Sequence, residues 1–390
     1  MYHRGTWAGR AAKLLPENLH RDFSMTRPLY YGLLATLFVA LSANSLRAQT
    51  PQYSILPLNI GVTLESHPLN NLGQVAGRAN NHAVLTRPNA AFNPATDYLE
   101  NNAPQTSIGY GVNDLGEAVG YIDLHDGSAN PFHGTHSAPN SPFNLAQIDF
   151  GYNLPRAINN SGATTGPGAN GYAFRTSNNG QPFAISSLGS LGPLANGLGN
   201  VSWGLDINDS GVVTGWSNTN ANSSHAFRAA GATINPATDD LGVLATGNNS
   251  VGQAINNAGV VVGYSNLAPN GISHAFRAVP GQAMEDLGIL PGQNSSVSSV
   301  ANGINDLGDI VGYSGSKAVL WHNGQIFNLS SLIDPAFPSR YGNALDINNQ
   351  GQILIQETGG GFYYLITPVP EPSTLILLGL GIGACIVFKA

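Results

Sequence analysis

The sequence predicts an all-β fold, a seven-bladed β-propeller built of four-stranded blades. Three observations support this prediction: a short motif returns seven times, its spacing matches the size of one blade, and short β-branched runs follow the copies. Each copy has an aliphatic residue, Asn, two small or polar residues, Gly, and an apolar run that usually ends in a second Gly. Successive copies begin 43 to 49 residues apart, which is a supersecondary period. The copies begin at Leu69, Val112, Ile158, Ile207, Ile255, Ile304 and Ile347.

The residue chemistry of one unit predicts four short strands. Asn and Gly bracket a type I turn that a left-handed glycine closes, as in Asn208–Gly211. The run Val260–Val262 is β-branched and too short for a helix, so it is expected to form a buried strand. A further element such as His225–Arg228 follows, and then one such as Asp240–Leu244. Together with the strand before the turn, these elements make a propeller blade rather than the shorter coil of a β-solenoid.

The two ends of the repeat region predict how the ring closes. Ser54–Pro57 resembles the fourth-strand segment Gly288–Pro291, whereas the chain after Leu365 has no such segment. We therefore expect the N-terminal strand to complete the last blade, which removes two open sheet edges. The propeller domain is predicted to cover residues 49–366.

The N-terminal region predicts export. Leu29–Ala43 is apolar, Arg27 precedes it, and small residues with Ala48 follow it. This pattern is typical of a secretory signal peptide, here residues 1–48 with a signal helix, and it is shorter than the roughly 20 apolar residues of a membrane span. Met25 would make a more typical start, and a long leading region is the other interpretation.

The C-terminal region carries the most specific short motif of the chain. Val369–Thr374 contains Pro370, Glu371 and Pro372, and an apolar stretch Leu375–Phe388 and Lys389 follow. This order resembles the PEP-CTERM sorting signal of Gram-negative bacteria. The resemblance implies that residues 367–390 hold a short transmembrane helix, that an exosortase-type enzyme recognises the motif, and that the protein passes from the inner membrane to the cell surface or extracellular matrix. A plain C-terminal anchor is the alternative.

The repeats also carry a family resemblance. His225–Phe227 and His274–Phe276 each read His-Ala-Phe, and His82–Val84 is a near copy. They are similar to the HAF repeat of bacterial extracellular proteins. That resemblance implies an exported repeat protein and supplies no catalytic residues.

Charge and cysteine content narrow the partners and the chemistry. Charged residues make up 9% of the 390-residue chain, against about 25% in ordinary domains. Residues 49–366 hold eight basic and nineteen acidic residues, a formal charge of −11, which disfavours nucleic acid and anionic membrane surfaces. The single cysteine is Cys385, so the ring has no disulfide and no thiol nucleophile.

No metal or other cofactor is predicted. One His in each unit would lie on a circle too wide for ligands that must converge at about 2 Å, so these residues are expected to bond neighbouring strands or loops. Calcium is kept as an alternative at the loop oxygens of one unit, although the residues lack the alternating order of a calcium loop. Those residues are Asp114, Glu117, Asp123, Asp126 and Gly127.

Aromatic residues follow the second glycine in four units, at Tyr121, Trp216, Tyr264 and Tyr313. Packing between blades explains them, and stacking on sugar rings is the alternative.

The expected function is that of a non-enzymatic surface scaffold. It would bind a protein or an exopolysaccharide of the matrix, with a candidate binding loop in the least regular unit, residues 112–157. The loop residues are Asp123, His125, Asp126, His133 and His136. The alternative is an extracellular propeller enzyme acting on glycans, a hydrolase or a lyase, because the fold hosts both kinds of protein.

Overall fold

The computed structural model describes residues 52–62, 67–99, 106–123, 129–135, 153–177, 184–192, 201–219, 223–269, 271–335 and 341–369. All of them belong to one compact unit, Pro51–Ala390. The predicted signal peptide, residues 1–48, and the sorting motif at Pro370, Glu371 and Pro372 lie outside the described residues.

The described residues form short strands and one 3-10 turn, Leu329–Ser331. We refer to the seven repeats as units one to seven, in chain order of their Asn turns. The strands are β1 Tyr53–Pro57, β2 Ala76–Ala79, β3 His82–Leu85, β4 Thr106–Val112, β5 Glu117–Asp123, β6 Ala129–Thr135, β7 Ala157–Ile158, β8 Thr164–Pro167, β9 Ala173–Thr176, β10 Ile185–Gly189, β11 Ser202–Ile207, β12 Val213–Asn218, β13 Ser224–Ala229, β14 Ser250–Ile255, β15 Val261–Asn266, β16 Ser273–Ala278, β17 Glu285–Gly288, β18 Ser299–Ile304, β19 Ile310–Ser314, β20 Lys317–His322, β21 Gln325–Asn328, β22 Tyr341–Ile347, β23 Ile353–Glu357 and β24 Tyr363–Pro368.

These strands pair in antiparallel sheets that follow one another along the chain. Units three, five, six and seven form four-stranded sheets, β7–β10, β14–β17, β18–β21 and β22–β23–β24–β1. Units two and four form three-stranded sheets, β4–β6 and β11–β13, and unit one has only the pair β2–β3. The result is a propeller arrangement with six blades of three or four strands, and unit one lies between the seventh and second units around the ring.

The prediction of seven four-stranded blades is therefore wrong. In unit one, the described residues before the Asn turn make isolated bridges rather than a continuous strand. Pro68, directly before the turn, has no backbone N–H to donate to a sheet ladder. Two bridges, Gly61 to Arg78 and Leu69 to Val75, stand in place of the first strand, and a third, Val84 to Tyr98, replaces the fourth strand. In unit four the fourth strand is likewise reduced to one bridge, Phe227 to Asp240.

Neither predicted helix falls within the described residues of this all-β fold. The stretches Leu29–Ala43 and Leu375–Phe388, in which they were expected, lie outside the described residues. Within the described part of the chain, no helix has the length and apolar character to cross a membrane.

The ring closes where the sequence predicted. Strand β1 pairs antiparallel with β24, and Leu56 lies opposite Leu365. The backbone N–H of Tyr53 donates to the carbonyl of Leu332 at 2.9 Å, and that of Val369 donates to Gln52 at 2.8 Å. The two ends of the repeat region therefore hold each other in a single sheet.

The second glycine of the motif is explained by crowding at one point in each sheet. Gly215 lies opposite both Gly204 and Phe227, next to a register shift in β11. A Cβ on Gly215 would overlap the carbonyl oxygen of Trp203, so no larger residue fits. Phe227 is fully buried beside it. Equivalent glycines with the same kind of carbonyl contact are Gly120, Gly166, Gly263 and Gly312.

Buried serines join neighbouring units. Ser250, at the start of β14, accepts a hydrogen bond from the backbone N–H of Ala226 in unit four at 2.8 Å and donates to the carbonyl of Gly242 at 2.5 Å. Ser299 does the same for Ala275 and Gly288 in unit five. Both serines are fully buried. The hydroxyls thus satisfy backbone groups of one unit from the next.

Candidate functional site

Each repeated motif forms the predicted turn, and its Asn side chain caps the turn from within. In all seven turns the Asn Oδ1 accepts the backbone N–H four residues later, at 2.9 to 3.0 Å. The glycine three residues after each Asn has a positive φ of 72° to 86°. The Asn side chains are only 2 to 6% exposed. The type I turn with a left-handed glycine is therefore confirmed.

The same Asn side chains also join the turns into a closed circle, which we call the inner ring. Each Nδ2 donates to the backbone carbonyl of the Asn in the next unit, at 2.8 to 3.2 Å. The last member, Asn348, donates to the first, Asn70. Aspartate could not take this role because an ionised carboxylate only accepts hydrogen bonds. The inner ring members are Asn70, Asn113, Asn159, Asn208, Asn256, Asn305 and Asn348.

The residues after the inner ring form a second circle, the outer ring. The backbone N–H of each member donates to a side-chain oxygen of the next member, at 2.7 to 3.0 Å. Asparagine and aspartate alternate along it. Each carboxylate accepts hydrogen bonds from the amides of both neighbours, as Asp209 does from Asn160 and Asn257. The outer ring members are Asn71, Asp114, Asn160, Asp209, Asn257, Asp306 and Asn349.

The outer ring has one place where two residues of the same kind are neighbours. Asn349 follows Asp306 and precedes Asn71, and its backbone N–H donates to the Asn71 Oδ1 at 2.7 Å. Its Nδ2 donates back to Asp306 at 2.8 Å. Every carboxylate of the ring thus lies between two amides, and no two carboxylates are adjacent.

Both rings surround a central funnel of about 150 Å³. The aliphatic residue before each inner-ring Asn also lines it, and these side chains are buried. Three further lining residues occur outside the sevenfold pattern: His67, Asp206 and Asp346. The funnel is therefore symmetric except for this His-Asp-Asp cluster.

The cluster joins three distant parts of the chain. His67 Nε2 donates to the carbonyl of Gln253 at 2.9 Å and lies 3.9 Å from Asp206 Oδ2. His67 Nδ1 lies 3.8 Å from Asp346 Oδ1. Asp206 accepts the backbone N–H of Ile255 at 2.7 Å, and Asp346 accepts that of Leu69 at 3.2 Å. Each carboxylate therefore links its own unit to the next.

The pKa values in the cluster favour a protonated histidine. Burial alone would lower the pKa of His67, but Asp206 and Asp346 together outweigh it and raise the pKa to about 9. Burial raises the pKa of Asp206, and its contacts with His67 and two backbone N–H groups only partly oppose this. A pKa of about 9 keeps His67 protonated at neutral pH, and its ring lies between the two carboxyl groups.

The sequence reasoning missed this cluster, although a signal was present. At the position before the aliphatic residue, only units four and seven carry an aspartate, Asp206 and Asp346. The other units carry Pro, Gly or Ala there. An aspartate at one repeat position in only two of the seven units is a signal that Asp206 and Asp346 have a role of their own.

The predicted binding-loop residues are only partly within the described residues. Asp123 ends β5, and His133 lies in β6 with its Nε2 3.7 Å from Glu117 Oε1. His125, Asp126 and His136 lie outside the described residues.

The calcium alternative finds little geometric support in this unit. Glu117 and Asp123 lie at opposite ends of β5, which places them roughly 20 Å apart at the rise of a strand. Asp114 is part of the outer ring. The neighbouring His133 lowers the pKa of Glu117, an effect that burial opposes and that the hydrogen bond from Asn113 reinforces. Among the described residues, no group of three His, Cys, Asp or Glu side chains could hold a metal ion.

The histidines of the His-Ala-Phe segments have the structural role expected of them. His225 Nδ1 lies 2.9 Å from Asp240 Oδ1, and His274 Nδ1 lies 3.0 Å from Asp286 Oδ1. In both units the aspartate is the first residue of the Asp-Leu-Gly segment. Burial opposes ionisation of Asp240, but the hydrogen bonds from His225 and from a backbone N–H outweigh burial and lower its pKa.

The four repeated aromatic residues are half-buried rather than fully enclosed. Tyr121 stacks on Tyr110 with ring centroids 5.8 Å apart, and Trp216 lies 5.6 Å from Trp203. In each pair the partner lies on the neighbouring strand of the same sheet, so these rings pack within a blade.

Comparison with protein families gives a match at the C-terminus. Residues 368–389 match the PEP-CTERM protein-sorting motif. This motif implies export, processing by an exosortase-type enzyme and sorting to the cell surface. The match begins at Pro368, the last residue of β24. A comparison with curated proteins gave no match.

Proposed function

We propose that the protein is a surface-sorted propeller scaffold that binds a protein or an exopolysaccharide of the extracellular matrix and catalyses no reaction. The observation that carries this proposal is the inner ring, in which each buried amide caps its own turn and bonds the next one. Such a ring makes the funnel a structural hub. A catalytic funnel would instead present groups free to meet a substrate.

The position of the sorting motif supports the scaffold role. β24 is paired with β1 up to Pro368, and the motif begins at that residue. A cut within the motif after Val369 would leave the closing sheet intact. We infer that the segment after Val369 anchors the protein transiently in the inner membrane through the predicted helix and is removed by an exosortase-type enzyme.

Partner binding is assigned to the surface of the ring. The predicted loop with Asp123 and His133 lies in the unit whose sequence departs most from the repeat, and irregular insertions are where repeat proteins place binding residues. The four aromatic residues after the second glycines are partly exposed and offer rings for sugar stacking.

The sorting part of the proposal is tested by truncation. A chain ending at Val369 keeps the bond from Val369 to Gln52, whereas a chain ending at Leu365 would lose the buried Ile366 and disturb the fold. We expect the Val369 truncation to fold and to be lost from the cell-surface fraction. If it reached the surface like the full chain, the sorting proposal would be wrong.

The binding part is tested with the full-length chain on a glycan array beside a reducing-sugar assay on the same panel. Binding without release of reducing ends supports the scaffold. Release of reducing ends contradicts it. Asp123→Asn and Asp126→Asn report whether the predicted loop contributes to either activity.

The His-Asp-Asp cluster favours a second candidate, a glycan hydrolase or lyase that uses the funnel. A carboxyl group with a raised pKa beside a second carboxylate is an arrangement that acid–base catalysis on glycans uses. If reducing sugar is released, loss of turnover in Asp206→Asn or Asp346→Asn with an unchanged melting temperature would support this candidate. Retained turnover in both variants would exclude it.

A further inference from the structure

Arginines in the third strands tie neighbouring units together. Arg175 donates to the carbonyl of Gly211 at 2.8 Å, and Arg228 donates to that of Gly259 at 3.3 Å. In both cases the acceptor is the glycine that closes the Asn turn of the next unit. The guanidinium groups therefore occupy the clefts between units three and four and between units four and five.

The equivalent arginine of unit five does not make this contact. Arg277 instead donates through Nε and Nη2 to Glu285 in its own unit, at 3.0 and 2.7 Å. The glycine it would otherwise reach is Gly308. The cleft between units five and six is consequently left without an arginine bridge.

The length of one connection explains the difference. In unit four, Asp239 occupies the place of Glu285, and its carboxylate caps a turn by accepting from Asn235 N–H at 2.8 Å and Thr238 Oγ1 at 3.0 Å. The connection in unit five is three residues shorter and lacks this turn. Glu285 is therefore free to bind Arg277.

A second substitution shapes the same cleft. Trp321 pairs with Ile310 in unit six, at the position where Ala278 pairs with Val261 in unit five. The indole Nε1 donates to the carbonyl of Leu287 at 3.1 Å, which fixes the ring at the cleft. The indole of Trp321 in unit six thus takes the place of the methyl group of Ala278 in unit five.

Together these changes open a cavity of about 340 Å³ between units five and six. This volume lies at the lower end of the ~300–1,000 Å³ range of small-molecule sites. Leu307 at its rim is 76% exposed. The polar and apolar lining residues include Arg277, Asp286, Leu307, Asp309, Trp321 and Asn323.

We propose that this cavity binds one neutral sugar residue of a polysaccharide, which rests on the proposed function and names the ligand class of the scaffold. Asp286 and Asp309 each bond one histidine, His274 and His322, and their remaining lone pairs can accept sugar hydroxyls. The Arg277 guanidinium and the Asn323 side-chain amide can donate to hydroxyl oxygens.

The charge of the cavity and its apolar lining both favour a neutral sugar as the ligand. Arg277 is neutralised by Glu285, so the carboxylates dominate the cavity and disfavour acidic sugars. Leu307 offers an exposed apolar surface for the C–H face of a pyranose ring, and the largely buried Trp321 lines the cavity behind it. A polyhydroxylated neutral ring satisfies both kinds of lining.

The test uses two matched pairs of variants in the full-length chain. Asp286→Asn lies in the cavity, and Asp240→Asn is its equivalent in unit four, where the aspartate makes the same histidine and glycine contacts. Leu307→Ala lies in the cavity rim, and Leu115→Ala is its equivalent in the turn of unit two, 69% exposed. Calorimetry measures binding of neutral gluco-, galacto- and manno-oligosaccharides, with oligogalacturonate as the acidic probe.

We expect wild type to bind a neutral oligosaccharide. Asp286→Asn should weaken binding about tenfold through loss of a charge-assisted hydrogen bond, and Leu307→Ala should weaken it about tenfold through loss of apolar contact with the sugar ring. Asp240→Asn and Leu115→Ala should leave the affinity unchanged. Glu285→Gln, at an exposed position, should release Arg277 toward the cleft and weaken binding as well.

The other outcomes separate the cavity from the scaffold role. If neutral glycans bind but the cavity variants behave like their controls, the cavity proposal is overturned and glycan binding stands. If only oligogalacturonate binds, the neutral-sugar assignment is overturned. If no oligosaccharide binds to a correctly sorted protein, the cavity proposal fails and the scaffold proposal rests on a protein partner.

Discussion

Asn348 donates its side-chain N–H to the backbone carbonyl of Asn70 at 2.9 Å, although the two residues are 278 positions apart in the chain. This bond completes the inner ring, and the pairing of β1 with β24 closes the sheet around it. The two closures are independent, because one uses side chains at the funnel and the other uses the backbone of the last sheet. The fold is therefore held shut at two places.

The inner ring predicts a strict need for an amide. Asn208→Asp should lower the free energy of unfolding by about 2 kcal/mol or more, because the carboxylate cannot donate to the buried carbonyl of Asn256. Ser210→Ala, an exposed position in the same turn, is the control and should change stability little. Urea unfolding measures both. Equal stability of the two variants would show that the ring bonds contribute nothing.

The outer ring predicts that the free energy of unfolding depends on the alternation of amides and carboxylates. Asn257→Asp would place three carboxylates side by side and remove the amide that donates to Asp209 and Asp306. We expect a loss of about 1 kcal/mol for each donor removed. Asn71→Asp removes a donor to Asp114 alone and should cost less. High salt should screen the repulsion between the carboxylates and so reduce the difference in unfolding free energy between Asn257→Asp and Asn71→Asp. Urea unfolding at two ionic strengths measures this difference.

The His-Asp-Asp cluster predicts that stability falls at alkaline pH. His67 has its pKa raised from 6.5 to about 9, so its stabilisation is fully present below pH 6.5 and is lost as the pH rises through about 9. The loss should amount to at most about 3 kcal/mol. His67→Gln keeps a donor for the Gln253 carbonyl but does not titrate. Its unfolding free energy should vary less over this range, and a slope equal to that of wild type would contradict the prediction.

The two glycines of each motif predict substitutions of different severity. Gly215→Ala would force a Cβ against the carbonyl of Trp203 and should cost several kcal/mol or prevent folding. Gly211→Ala has open space around the new methyl group and suffers only from the positive φ of 76°, about 1–2 kcal/mol. Thermal unfolding compares them. The reverse order would show that backbone strain outweighs crowding.

The local features of the fold could be predicted from the sequence. The Asn-x-x-Gly turn needs only neighbouring residues, and the pairing of Ser54–Pro57 beside Leu365 was expected from the unmatched ends of the repeats. The number of regular strands could not be predicted, because a consensus unit hides exceptions such as unit one, where isolated bridges stand in place of two strands.

The His-Asp-Asp cluster could not be predicted from the sequence. His67, Asp206 and Asp346 are far apart in the chain and meet only because the ring brings their units to one axis. The histidine partners in the Asp-Leu-Gly segments were also missed, since pairing of His225 with Asp240 depends on the register of a strand that the sequence leaves open. Such contacts follow from closure and register rather than from local pattern.

The neighbouring amides Asn349 and Asn71 are a consequence of parity. Two residue types can alternate without a fault only on a circle with an even number of positions, and the outer ring has an odd number. The two neighbours of the same kind are both amides, Asn349 and Asn71, which can donate and accept hydrogen bonds. Two neighbouring carboxylates would repel each other. Gain or loss of a single repeat would make the circle even and would call for equal numbers of Asn and Asp.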